Sequence, residues 1–562
     1  MGVKGLSSLL EDNRRISPDI HFRDSKLVVD GNNLLYHLYF SSNLDQNHGG
    51  EYLAFQAEVK AFFKTLADCG IKPYLVMDGG SGTSNIKLDT LLDRARGKVK
   101  KTHDAASTGR KVNILPPVTK HVFRQTLNEL NVPMVKCFGE ADCQLAALAK
   151  EWRYTTSNFC TFFNIDRQLL PVFASLAGND YVNLRDVKWA RYLPAGSPKM
   201  KFSAANLEGL LSWLGARTDR TTEDTLTAAM KLMPSMSQQA QTEARTMLKT
   251  AMLEYELPSS SLRGFFSEGT FPPLPAEMLR CVPDWIRTPL ARGELGGDVL
   301  DLLVHRRIKL QTQVERSDLQ SSNLTSRPIR QVWYGLLLGQ RGGEVEEWDR
   351  VGLELATVMV RPLVQGAAQT LRLDSLPQAD PAVRLRACLE TLGVEVETLK
   401  GVPADLHLPV AVTRYWLRRA SPEPTLLKAL LMVMVQGELN RQTGGTTGWQ
   451  GDTRHISQPL DGVVAHSFNQ WQACLKDATQ LNLLLCKPLP EPHYAWLFQG
   501  RLVHRQIQKL QERGPSEHSA DFTRLYRSLL GAVTQPDPGA DGRAGGPEAQ
   551  LRTSMGHLRL NT

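Results

Sequence analysis

Cysteine is scarce in this chain. Eight of 562 residues are cysteines, all isolated, with no Cys-x-x-Cys pair and no Cys/His spacing of the zinc type. That pattern argues against a disulfide scaffold or a zinc module and implies reduced thiols, in the nucleus or alternatively the cytosol. Long apolar runs are missing as well. The longest, Leu426 to Val435, is interrupted by Lys428 and falls far short of the roughly 18 residues that would indicate a membrane span. No signal peptide is evident. The opening Met1-Gly2-Val3-Lys4-Gly5-Leu6 places Leu6 where a myristoylation signal needs Ser or Thr. Neither sign of charge dominates: 66 Lys and Arg stand against 58 Asp and Glu, a formal net charge of +8. This excess fits a polyanionic partner without requiring one.

What is present is enough apolar material, 42%, for a large globular core in a chain long enough to divide into domains. Residues 1–215 alternate short β-branched runs with helical patterns, as an α/β unit with a parallel sheet does. Leu27 to Asp30, Tyr74 to Asp78 and Pro133 to Cys137 read as strands. Helices are expected through Leu34, Leu35, Leu38 and Tyr39, over Ala54 to Leu66, and over Thr119 to Leu130, where apolar residues recur three and four apart. From 216 to 535 the pattern is helix-rich, with no repeat period and with one stripe through Phe468, Trp471, Cys474, Leu475, Ala478 and Leu481. Residues 442–461 read as a flexible insertion. Residues 536–562, rich in Gly, Pro, Asp and Ala, read as a disordered tail.

Chemistry concentrates at the strand ends. Asp30, Asp78 and the Glu140/Asp142 pair each follow an apolar run, where open α/β sheets bind their ligands. Any one of these acids could simply cap a helix or close a turn. Several at successive strand ends are what two divalent cations, held roughly 4 Å apart for phosphodiester hydrolysis, require.

The motifs then become specific. Gly2-Val3-Lys4-Gly5-Leu6, Val28-Val29-Asp30-Gly31, Val76-Met77-Asp78-Gly79, Gly139-Glu140-Ala141-Asp142 and Leu176-Ala177-Gly178-Asn179-Asp180-Tyr181 occur in order. In that order and context the chain resembles the flap endonuclease (XPG-like) superfamily and, within it, the Asteroid family. Arg327-Pro328-Ile329-Arg330-Gln331, Trp333-Tyr334-Gly335 and Pro488-Leu489-Pro490-Glu491-Pro492 extend the likeness across most of residues 1–530. The resemblance implies a PIN-like (Rossmann-like) parallel-sheet nuclease domain followed by a large helical region. It also implies a magnesium-dependent, structure-specific endonuclease that acts on single-stranded DNA, overhangs or flaps in DNA repair in the nucleus, with repair proteins as partners and no membrane.

By the same resemblance, Asp30, Asp78, Glu140 and Asp142 form the first magnesium site, Asp180 contributes to the second, and the processed N-terminus at Gly2 packs near the active site. A Lys and an Arg on the helix after the second strand contact the scissile phosphate in such nucleases. Lys87 and Arg94 stand seven apart here, two helical turns on one face. Arg96, Lys98, Lys100 and Lys101, with Arg110 and Lys111, form a basic stretch suited to tracking phosphates of a single strand. A charge run of this kind is otherwise a solvated helix face.

The chain departs from the superfamily in two places. Members carry a strand after the Glu/Asp helix ending in an Asp-x-Asp pair, whereas here the helix over Glu140 to Trp152 runs at once into Arg153 to Phe159. Phe159, Phe162, Phe163 and Leu169 have helical spacing, so a helix over Ser157 to Leu170 and an internal deletion near 152/153 are expected. The glycine-rich element that grips duplex DNA is likewise missing after Asp180. A single strand or an overhang is then the better substrate, and a catalytically inactive scaffold binding nucleic acid or protein is the alternative function.

Overall fold

The computed structural model describes residues 3, 5–12, 22–81, 88–152, 159–179, 187–196, 202–217, 221–233, 237–258, 262–271, 274, 276–339, 343–445, 460–513 and 518–536. Three strands, β1 (Lys26–Asp30), β2 (Lys72–Met77) and β3 (Met134–Lys136), form a parallel sheet in that order. Asp30 lies opposite Val76, and Met77 opposite Lys136, so the three carboxyl ends are nearly level. The period of two along β2 sorts its side chains. Leu75 and Met77 enter the main core, while Val76 joins Val135, Cys137 and Leu148 on the other face. Both faces are therefore covered, as a parallel sheet requires.

The expected helices occur at Gly31–Ser41, Tyr52–Asp68, Thr119–Glu129 and Gly462–Leu484. The Asp30 carboxylate starts the first of them by accepting the Asn33 backbone N–H (2.9 Å), which satisfies a donor the first helical turn leaves free. None of the eight cysteines forms a disulfide. No helix among the described residues is long and apolar enough to cross a membrane.

The structure differs from the sequence expectation in two elements. The second half is not helical throughout: β4 (Arg307–Lys309), β5 (Val345–Val351) and β6 (Glu354–Val360) make a second, mixed sheet. Nor is the helix expected over Ser157 to Leu170 continuous. One turn, Phe159–Phe162, is helical. The chain then breaks at Asn164, which takes φ +52°, a conformation asparagine tolerates better than most residues. It restarts after Asp166, whose side chain caps a 3-10 turn by accepting the Gln168 N–H (3.0 Å). Phe159 packs with Leu169, Phe173 and Leu176 in a separate helical cluster, away from the parallel sheet. Residues 153–158, 446–459 and 537–562, on which parts of the deletion, insertion and tail readings fall, lie outside the described residues.

The main core runs continuously from Leu34 to Val533. The first half meets the second edge to edge: Glu51 bridges Gln499, and the Gly500 N–H donates to the Gly50 carbonyl (2.8 Å). A Cβ on Gly500 would come within 2.4 Å of the His48 carbonyl, so only glycine allows this approach.

Candidate active site

Glycine following aspartate at two strand ends has a local cause. A Cβ on Gly31 would stand 2.2 Å from the Met77 sulfur, and one on Gly79 would stand 1.9 Å from the Cys137 carbonyl. Absent side chains let the strand ends close up, and the Gly79 N–H donates to the Gly139 carbonyl (2.8 Å). The Gly-Glu-Ala-Asp turn is thereby fastened to the residue after Asp78.

Asp78 is the pivot. Its Oδ1 accepts the Ala141 backbone N–H (2.9 Å) and its Oδ2 accepts from Asn32 Nδ2 (2.6 Å). One half-buried carboxylate thus joins the segment after β1 to the start of the helix Ala141–Glu151. Asp30 and Asp78 close adjacent strands, and Glu140 and Asp142 bracket the Ala141 N–H bound to Asp78. Among the described residues, no three acidic, His or Cys side chains converge tightly enough to cage an ion as they stand. The donor set is nonetheless hard carboxylate oxygen, the type that suits magnesium. Asp180, Lys87 and Gly2 lie outside the described residues.

Arg94, Arg96, Lys98, Lys100 and Lys101 all belong to one helix, Leu88–Thr108, whose buried stripe is Leu92, Ala95, Val99, Thr102, Ala105 and Ala106. Arg94, Arg96, Lys100 and Lys101 are exposed, and Arg96 pairs with Asp93 (2.7 Å). Lys98 is half-buried and turns toward a cavity of about 320 Å³ that also reaches Asn32 and Asp78.

Sequence reasoning missed the far wall of that cavity. The helix Asp298–His305 abuts the chain just after Asp78: Asp301 Oδ1 accepts the Ser81 N–H (2.6 Å), and a Cβ on Gly297 would lie 2.2 Å from the Gly79 carbonyl. Burial raises the Asp301 carboxyl above its ordinary value, and the Ser81 N–H opposes the shift. Lys120, Lys136 and Lys309 line the same space. Nothing near these residues in sequence signals the convergence, because it joins segments 159 to 220 positions apart.

Known protein families match both ends of this chain in sequence. The XPG N-terminal domain matches residues 1–101, and the Asteroid N-terminal domain matches residues 446–538. A Danio rerio protein named single-strand DNA endonuclease ASTE1 is 36% identical over 91% of this chain and 82% of its own length. The chain belongs to the Asteroid family. The Homo sapiens protein of the same name is 32% identical over 91% of this chain and 86% of its own. The Drosophila melanogaster protein asteroid is 37% identical over 27% of this chain and 18% of its own. The fold is that of an XPG-like nuclease domain, with the parallel sheet described above, followed by a helix-rich Asteroid region. In that region two of the family motifs are structural clamps. Glu491 forms an ion pair with Arg124 of the helix Thr119–Glu129. Arg330, 1% exposed, is held between Glu347 (2.8 Å) and Asp477 (2.8 Å).

Proposed function

We propose that this protein is a magnesium-dependent, structure-specific endonuclease that cuts single-stranded DNA, overhangs or flaps during DNA repair in the nucleus. One observation carries the reading: Asp78, at a strand end, is hydrogen-bonded both to the segment after Asp30 and to the backbone between Glu140 and Asp142. The relatives named single-strand DNA endonuclease, matched over most of their length, support the same activity and substrate.

Asp30, Asp78, Glu140 and Asp142 would hold one cation, and Asp180 would contribute to a second. A bound cation of this kind supplies an activated water and stabilises the leaving oxygen. Asn32 and the Ala141 N–H fix the rotamer of Asp78, so its lone pairs are aimed before substrate arrives. Lys87 and Arg94 would neutralise charge building on the scissile phosphate, while the exposed cations farther along the helix would follow the strand.

The test is cleavage of labelled overhang DNA with magnesium by the intact chain and by Asp78→Ala. The variant should lose more than roughly 100-fold in rate, since losing even the hydrogen-bond partner of a metal ligand costs about 10–100-fold. Equal rates would remove Asp78 from the site.

A second reading rests on the Phe159–Phe162 helical turn, which follows the helix Ala141–Glu151 with no strand between them among the described residues. On that reading the chain is an inactive scaffold that binds nucleic acid or a repair partner. Inserting a strand with the Asp-x-Asp pair at 152/153 should restore strong cleavage if the site is intact but short of ligands. Continued inactivity of a folded insertion variant would favour the scaffold.

A further inference from the structure

The cavity beside Asp78 is built from cations that the carboxylate chemistry does not use. Lys120 comes from the helix Thr119–Glu129, Lys136 from β3, Lys98 from the helix Leu88–Thr108 and Lys309 from β4, and all four line it. Three other cations stand on its wall: Arg307, and Arg124 and Lys476, which are tied to Glu491 and Asp477. Among the described residues, no ion pair engages any of the first four. Lys136 donates a hydrogen bond to the Leu295 carbonyl (3.2 Å).

Like charges brought together repel, and although Lys120 and Lys309 are exposed while Lys98 and Lys136 are half-buried, the effect shows on the amines. Burial, followed by the neighbouring Lys120, lowers Lys136 to about 8. Burial, followed by Lys98 and Lys120, lowers Lys309 to about 8 as well. Lys309 is itself exposed, so its amine can be reached from solvent. Asp298 and Asp301 face the cluster and offset part of its charge. Four lysines and Arg307 against Asp78, Asp298 and Asp301 leave about two positive charges.

We propose that this cavity binds a terminal phosphate of the single strand, a phosphate monoester seated among Lys98, Lys120, Lys136 and Lys309. A monoester carries about −1.5 to −2 at neutral pH, matching the residual charge, whereas an internal diester carries only one. The volume, about 320 Å³, sits at the lower end of small-ligand sites and suits a single nucleotide better than a run of strand. Because Asp78 and Asn32 open onto the same space, a strand end held there is measured off against the carboxylates. The ligand being DNA rests on the nuclease reading; the phosphate site itself does not.

The experiment is equilibrium binding of one fluorescent single-stranded oligonucleotide in three forms, 5′-phosphate, 3′-phosphate and hydroxyl at both ends, to the intact chain in chelator. One phosphorylated form should bind about tenfold tighter than the hydroxyl form, as expected for gaining a charge-assisted contact. Which form it is identifies the polarity. Lys120→Ala/Lys309→Ala should reduce the preference below about twofold, and Lys136→Met should weaken it. Lys64→Ala, which removes a surface lysine paired with Asp68, should leave it intact. Equal affinity for all three forms, no binding of any, or a preference that survives the double substitution in a folded protein would each overturn the proposal. Binding in chelator is independent of cleavage, so an inactive protein that still prefers a phosphorylated end would refute only the nuclease reading.

Discussion

Glu51 shows how far a single side chain can depart from its ordinary chemistry. It is 4% exposed, its Oε1 accepts the Arg501 N–H (2.9 Å), and burial pushes its carboxyl up to about 8. The fold therefore keeps a proton that the unfolded chain releases near its ordinary value of 4.5. Stability is full below that value and drains away as pH climbs toward about 8, by up to about 1.4 kcal/mol per unit. Glu51→Gln keeps the acceptor and removes the titration, so thermal melts should show a flatter pH profile between 5 and 8 and a higher Tm than the parent at pH 8. Superimposable profiles would mean that Glu51 ionises freely. Nothing in the sequence marks this residue, because its burial depends on a segment hundreds of positions away. Asp30 and Asp78 were legible for the opposite reason: the apolar run before each and the glycine after it are local features.

At the level of elements, the helix Leu88–Thr108 separates two uses of positive charge. Its apolar stripe anchors one side, Lys98 turns inward, and Lys100 and Lys101 remain in solvent. If the outer face follows a single strand, Lys100→Glu/Lys101→Glu should weaken DNA binding. The slope of log affinity against log salt should also shrink by roughly 1.4, about 0.7 for each phosphate no longer neutralised. A slope equal to the parent's would make this face ordinary solvated surface. Most of the helices could be read from sequence because their apolar residues recur every three to four positions. The second sheet could not. In Val345–Val351 the inward positions include Glu347 and Asp349, and Arg350 is buried too. Glu347 meets Arg330 and Tyr334, and Arg350 meets Glu315. A strand whose buried side chains are charged lacks the apolar alternation by which strands are recognised. The break at Asn164 was hidden for a related reason, since the apolar spacing through Phe159, Phe162, Phe163 and Leu169 runs across it.

On the scale of the whole molecule, the catalytic half and the Asteroid half share one interior. Gln125 donates to the Pro492 carbonyl (3.1 Å) and accepts the Tyr494 N–H (3.2 Å), and Tyr52 donates to Gln472. The division at 216 marks a change in pattern along the chain; in the structure one core cluster crosses it, joining Leu214 to Leu226 and Leu248. The sequence could not reveal how the two halves meet, because the contacts involve glycines, amides and carbonyls whose partners share no local pattern. The strand-end carboxylates needed only one half to be recognised. The lysine cavity needed both.

The join between Gly50 and Gly500 also sets a timetable. Glu51 and Arg501 lie 450 positions apart, and at about 5–20 residues per second a ribosome needs roughly 20–90 s to travel that distance. Throughout that interval the first helices stand with an apolar face bare and the wall bearing Lys309 incomplete for much of it. A chain cut short before Lys476 would lack Phe498, which packs against Tyr52, and the part of the cavity wall that Lys476 and Gln480 supply.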